Sequence, residues 1–325
     1  MKHRVPTSLG LAWALALLIG GCGSSETTHV PDPGPADTLF ADLEFGGGDT
    51  FDVVTWNIEN FTSEYDDNPS ERVRYVIAAV KAFAADVVAV QEITSSTSFN
   101  QVLAGLEGWD GFRDSEYSGS QKLAYLWNTA TVTVTDGPYN IFGWDSNSFP
   151  RRPLVLECTY LGQPLVIINN HFKCCGNGII AADPDQDNDG WIEDEETRRL
   201  NAVVQLEQWI RDNHPDSAVI LLGDLNDRLT DSVANNVFNV FLDAPADYVF
   251  ADMSLATGPS IGWSYRYSSH IDHILVSDEL FAPLAHGDAE IRTFRMDSYL
   301  DSGWGEYETN LSDHLPVGLR LPLGP

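Results

Sequence analysis

Basic side chains are scarce in this chain: 18 lysines and arginines stand against 48 aspartates and glutamates, a formal charge of −30 over 325 residues. The field of such a surface repels polyanions and anionic membranes, which excludes a chromatin-like or polybasic protein. A nucleic acid could bind only locally, with a divalent cation between it and the protein. The chain also lacks an internal repeat, and its apolar stretch from Leu9 to Ile19 is too short to cross a bilayer as a helix. What it does have is 43% hydrophobic and 11% aromatic residues. That is enough to bury a core, and too much for a disordered acidic tail.

The first residues carry an address. Lys2, His3 and Arg4 precede the apolar stretch, which ends in Ile19-Gly20-Gly21-Cys22. This resembles the lipobox of bacterial lipoproteins, and the resemblance implies a signal peptide over 1–21 and lipidation of Cys22. Gly23 lacks the aspartate that often retains lipoproteins at an inner membrane, so the expected place is the outer membrane or cell surface, or release outside the cell. The membrane would be a partner through the lipid anchor only. Residues 22–48, rich in Ser, Thr, Pro, Gly and Asp, are expected to form a flexible tether. Residues 49–325 are read as one domain, expected to act as a monomer.

Strand and helix patterns alternate along that domain. Phe51–Trp56 and Asp86–Gln91 read as strands, with helical spacing of Val73, Val76, Ile77, Val80 and Phe83 between them. Consecutive strands follow over Leu123–Trp127, Thr131–Thr135, Pro153–Tyr160 and Pro164–Phe172. A helix at Asp194–Asp212 and strands at Ala218–Leu222, Tyr265–Val276 and Leu315–Leu321 complete the series. The expected fold is a four-layer α/β sandwich, two mixed β-sheets packed face to face with helices outside.

Polar residues collect where these strands end. The segments are Trp56-Asn57-Ile58-Glu59, Gln91-Glu92, Asn169-Asn170-His171-Phe172-Lys173, Gly223-Asp224-Leu225-Asn226 and Ser312-Asp313-His314. In a sixth, Ser269-His270-Ile271-Asp272-His273, an aspartate sits inside an apolar strand. Alternation places Asn169, His171 and Lys173 on one face, and Asp224 with Asn226.

In their order and spacing these segments resemble the endonuclease/exonuclease/phosphatase superfamily of metal-dependent phosphoesterases, over Phe51 to Leu323. The resemblance implies that Asn57, Glu92 and Asp313 hold a catalytic Mg²⁺ or Mn²⁺. It assigns the chemistry to His171, Asp224, Asn226, Asp272 and His314. Asp224 would orient or deprotonate the attacking water, Asn226 would hold a phosphoryl oxygen, and Asp272 would orient His314. His171 would assist the leaving oxygen. The implied substrate is nucleic acid, DNA first and RNA second, with Asn169, Arg151, Lys173 and Arg266 as contacts. Two departures stand out from pancreatic-type nucleases: Ile93-Thr94 follows the glutamate in place of a groove-reading arginine, and Leu123 stands where a glutamate would partner His171. Lipid or inositol phosphates are the alternative substrates, and a calcium-dependent binding protein without catalysis is the distant one.

Residues 183–196 form an acidic insertion. Asp185 to Glu196 matches a twelve-residue EF-hand loop, with Gly190 at its sixth position. The expected Ca²⁺ ligands are Asp185, Asp187, Asp189, the Trp191 carbonyl, Glu193 through water, and Glu196. With Cys22 assigned to lipid, three cysteines remain. A hairpin turning near Gly162 would set Cys158 opposite Val166, out of reach of Cys174. The expectation is a buried free Cys158, with Cys174 and Cys175 either bridged to each other or free.

Overall fold

A computed structural model describes residues 39–324 apart from 64, 65, 117, 118, 267 and 268. The signal segment 1–21 and Cys22 lie outside the described residues. Twelve strands are described: β1 (Phe51–Phe61), β2 (Val87–Ile93), β3 (Trp109–Arg113), β4 (Lys122–Asn128), β5 (Val132–Asn140), β6 (Leu154–Tyr160), β7 (Gln163–His171), β8 (Val219–Asp224), β9 (Tyr248–Phe250), β10 (Asp272–Ser277), β11 (Glu290–Thr293) and β12 (Val317–Leu321). Three helices of eight residues or more join them: α1 (Pro69–Phe83), α2 (Ser96–Ala104) and α3 (Glu195–Asn213).

The strands form two six-stranded sheets, in the orders β11-β12-β1-β2-β4-β3 and β5-β6-β7-β8-β10-β9. Each is antiparallel except for one central parallel pair, β1 with β2 and β7 with β8. Each parallel pair needs a crossover, and α1 and α3 supply them. Val53, Ala89 and Tyr125 of one sheet meet Leu156, Ile167, Leu222 and Ile274 of the other in a continuous core. α1 buries Val73, Val76, Val80 and Phe83 against the outer face of the first sheet. α3 buries Ala202, Val203, Leu206 and Ile210 against the second. The four expected layers are therefore present.

Local chemistry fixes the helix ends. α1 starts with proline in its first turn and stops where Ala84 turns left-handed, at φ 48°. Asp194 caps α3 by accepting from the Thr197 N–H at 2.8 Å. α2, which the sequence reading passes over, begins at a Ser95 cap on the Ser98 N–H. Its Ser-Thr-Ser opening blurs the apolar period that would have revealed it.

Three expectations need correction. The tether does not reach residue 48: Phe40, Leu43 and Phe45 are buried in the core under α1, so at least 39–48 belong to the domain. The expected strand from Tyr265 begins only at Asp272, because Tyr265 makes isolated bridges to Ser269 and His314 instead of a ladder. The β6–β7 hairpin pairs Cys158 with Leu165, one residue away from the expected Val166. Cys158 is a buried free thiol, as expected.

Candidate active site

Strand pairing assembles the site. On the second sheet His171 of β7 is in register with Asp224 of β8, and Asp224 is in register with Asp272 of β10. Three segments far apart in sequence thus end in one row. On the first sheet the parallel pair sets Asn57 beside Gln91, with Glu92 next along the chain. The approach is tight at Gly223, whose φ is +137°. A Cβ there would stand 2.0 Å from the Asn170 carbonyl oxygen, so no larger residue fits. Glu92 and Asn226 hold left-handed backbones, at φ 63° and 53°, the kind of strain that collects at functional sites.

His314 arrives on the segment before β12 and is tied down on several sides. Ser312 Oγ donates to the Asn57 carbonyl at 2.7 Å and accepts the His314 N–H at 2.9 Å. The Trp56 indole and the Tyr307 hydroxyl both donate to the His314 carbonyl, at 3.2 and 2.6 Å. The Tyr265 ring lies 4.9 Å from the imidazole.

His314 Nδ1 is 2.8 Å from Asp272 Oδ2, and its Nε2 is 3.9 Å from both Asp224 and Asp313. His171 Nε2 lies 3.4 Å from Asp224 and 3.7 Å from Glu92. Asn57 donates its amide to Asp224 at 2.9 Å and to Glu92 at 3.3 Å. The Asn226 N–H donates to the other Asp224 oxygen at 3.1 Å. Around these groups opens a cleft of about 820 Å³.

The environment drives these groups apart in acidity. Burial pushes Asp224 up to about 7 against the pull of His314, with the Asp272 and Glu92 charges adding to the rise. Burial alone would lower His314, but the Asp272 and Asp224 carboxylates overcome it and hold the ring at about 10. His171 is held well below the ordinary histidine value by burial and then by the positive charges of Arg151 and His314. His314 is therefore an imidazolium and His171 a neutral ring. Among the described residues His171 Nδ1 is buried without a hydrogen-bond partner, and Leu123, apolar and buried in the inter-sheet core, offers none.

Glu92, Asp224, Asp272 and Asp313 share a space with one imidazolium between them. Asp313 is raised by burial and, against the pull of His314, by Glu92 as well; Asp272 Oδ1 is buried without a partner among the described residues. This surplus of negative charge on hard oxygen donors fits a divalent cation of the Mg²⁺ or Mn²⁺ kind. Glu92 and Asp313, with Asn57 close by, are the residues that would hold it. Asp224, Asp272 and His314 also bring ligand atoms within 4.8 Å of one another. Their direct Asp272–His314 hydrogen bond makes them an acid–base group instead.

The expected substrate contacts fare differently. Asn169 is fully buried: its amide donates to the Val90 and Ala124 carbonyls, each at 3.1 Å, and its oxygen accepts from Gln91 at 2.7 Å. It braces the two sheets and faces no substrate. Arg151 is also buried and donates to the Phe172 carbonyl at 2.7 Å, beneath the site and not on its surface. Lys173 stays near the rim, bonded to the Cys174 carbonyl at 3.0 Å and 3.6 Å from Glu195. Arg266 is exposed, 5.1 Å over the Trp304 ring.

In the acidic insertion Asp185, Asp187, Asp189 and Glu193 each bring a ligand oxygen within 4.8 Å of the others. The Asp189 and Gly190 N–H groups donate to Asp185 at 3.1 and 3.0 Å. Trp191 donates its N–H to Asp189 at 2.7 Å and lays its ring 5.4 Å under Arg198. Glu196 is a correction. Its carboxylate accepts from the Gly178 N–H and pairs with Arg199 at 3.4 Å, turned toward the catalytic cleft and away from the loop.

Arg199 went unremarked in the sequence. It is fully buried and bonds Asp227 at 2.8 Å and the carbonyls of Lys173 and Cys175 at 2.8 and 2.9 Å. It thereby joins the segment after His171 to the segment after Asp224. In a chain this poor in basic residues, an arginine three positions after a glutamate in a helix was the available signal.

A fold with two face-to-face mixed sheets and a histidine–carboxylate cleft at one end defines a class of phosphoesterase. The sequence model of the Endonuclease/Exonuclease/phosphatase family matches residues 54–314, and the chain belongs to that family. Its members are metal-dependent phosphoric ester hydrolases, and this chain is an enzyme of that class. Among solved structures it resembles D. rerio TDP2 complexed with single strand DNA product, at 15% identity and TM-score 0.60, covering 84% of this chain and 99% of that one. It resembles the human Nocturnin catalytic domain with bound sulfate anion at 15% identity and TM-score 0.56, covering 83% and 93%. An endonuclease/exonuclease/phosphatase from Bacteroides vulgatus matches at 15% identity and TM-score 0.57, over 84% and 98%. No curated protein matches the chain.

Proposed function

We propose that this chain is an exported phosphodiesterase that hydrolyses nucleic acid, DNA above all, by direct attack of water. The observation that carries the reading is the row His171–Asp224–Asp272 with His314 bonded across it to Asp272. Asp224 accepts a proton from water, while Asn57 and the Asn226 N–H fix its two oxygens. His314, protonated on both nitrogens, presents its Nε2 proton toward the phosphoryl group, while Asp272 accepts the Nδ1 proton and fixes the ring's orientation. His171, neutral, donates a hydrogen bond and does not act as an acid. A divalent cation at Glu92 and Asp313 would supply Lewis-acid stabilisation of the developing charge. The single-strand DNA product seen with the TDP2 relative supports DNA as the first substrate to try. Export rests on the lipobox resemblance, and loss of lipid labelling in a Cys22→Ser chain would test it.

We further propose that Ca²⁺ occupies the Asp185–Glu193 loop, without Glu196. The full chain incubated with supercoiled plasmid, Mg²⁺ and Ca²⁺ should give nicked and then linear or degraded DNA. EDTA should abolish this, and His314→Ala should slow it by about 10²–10⁴-fold. Intact plasmid alongside turnover of bis(p-nitrophenyl) phosphate or a phospholipid headgroup would move the substrate to the lipid and small-phosphoester branch.

A further inference from the structure

The strap that leaves His171 ends in two consecutive cysteines, Cys174 and Cys175, on the rim of the catalytic cleft. Neither takes part in the chemistry above. Their sulfurs stand 2.9 Å apart, with the Cys175 thiol donating to Cys174. The Lys173 ammonium, shared with Glu195, is 3.9 Å from the Cys174 sulfur. Cys175 is held in a left-handed backbone at φ 75°, and the buried Arg199 fixes the carbonyls on either side of Cys174, those of Lys173 and Cys175. The two thiols are thus set in contact by the backbone, with one of them exposed.

We propose that Cys174 and Cys175 form a reversible thiol–disulfide exchange site for small-molecule disulfides. Cys174, which accepts the hydrogen bond and lies beside the Lys173 charge, attacks as the thiolate. Its sulfur bonds to one sulfur of the incoming disulfide, whose other sulfur leaves as a thiolate. Cys175, deprotonated in turn, attacks the Cys174 sulfur of the mixed disulfide and expels the second thiolate. The cysteine pair loses two electrons, the small disulfide gains them, and the two cysteine protons end on the two released thiols.

The ring that forms is strained. Neighbouring Cα atoms are about 3.8 Å apart across a trans peptide, short of the roughly 4.4–6.8 Å that disulfides normally span. Strained, exposed bridges are easily reduced, so the pair exchanges and does not act as a permanent staple. Cys158 does not compete, since it is buried between the sheets and burial pushes its thiol up to about 12.

Oxidised glutathione on the full chain, followed by alkylation and peptide mass mapping, tests the site without reference to hydrolysis. The expected result is loss of alkylation at both cysteines, a 174–175 peptide lighter by two hydrogens, and recovery of both thiols in reduced glutathione. Cys175→Ser should keep one glutathione on Cys174, whereas Cys174→Ser should react more slowly. Unchanged alkylation, glutathione that stays on the wild-type chain without ring closure, or a closed pair that resists reduced glutathione would each overturn the proposal.

Discussion

Two carboxylates decide the charge of one ring at His314. Asp272 and Asp224 outweigh the burial that would strip its proton, and the ring stays cationic up to about pH 10. Removing Asp272's charge lowers that value. In Asp272→Asn the alkaline limb of the kcat/KM profile should therefore move toward neutral pH, with kcat falling more than KM changes. A profile superposable on wild type would assign the alkaline limb to another group. His171 shows the opposite case, a ring kept neutral by burial with one nitrogen unpartnered. The departure at Leu123 made an unusual environment for His171 legible in sequence, but not that its Nδ1 finds no partner among the described residues.

At the scale of the element, what sequence could and could not show divides along a physical line. Motifs that end strands were legible because alternation and apolar runs locate the ends, and Asn57, Glu92, His171, Asp224, Asp272, Asp313 and His314 all reach one cleft or its margin. The direction a polar side chain takes at the join of two sheets was not. Asn169 shares a face with His171, yet that face points between the sheets, where the Gln91 amide awaits it. Asn169→Leu should accordingly lose more than about 2 kcal/mol of stability in urea, because the buried Val90 and Ala124 carbonyls are left unpaired. A substrate contact would change KM and leave the urea midpoint in place. Glu196 was misplaced for a similar reason. A loop template fixes spacing, whereas Arg199, a turn further along α3, draws the carboxylate to the other side. Ca²⁺ should raise the melting temperature of a Mg²⁺-free sample, and Asp187→Asn should weaken that shift while Glu196→Gln leaves it.

The whole molecule carries its charge as a handicap toward a polyanion. With 48 acidic against 18 basic residues, the long-range field opposes approach of DNA, and a divalent cation held in the acidic cleft would reverse it only locally. Modest monovalent salt at fixed Mg²⁺ should therefore raise kcat/KM on plasmid by screening that repulsion, opposite to the loss seen for proteins that bind through lysines and arginines. Initial rates across an ionic-strength series would decide it.

The pairing of His171, Asp224 and Asp272 in one row of the second sheet also bears on how the molecule matures. A slip of β8 by a single residue would turn Asp224 to the opposite face and leave its two neighbours facing Gly223 or Leu225, neither of which carries a polar side chain. Catalysis and correct strand pairing are thus the same event seen by two instruments. During refolding, activity should appear only with the final pairing of β7, β8 and β10, making the reaction itself a proofreading signal for the architecture that performs it.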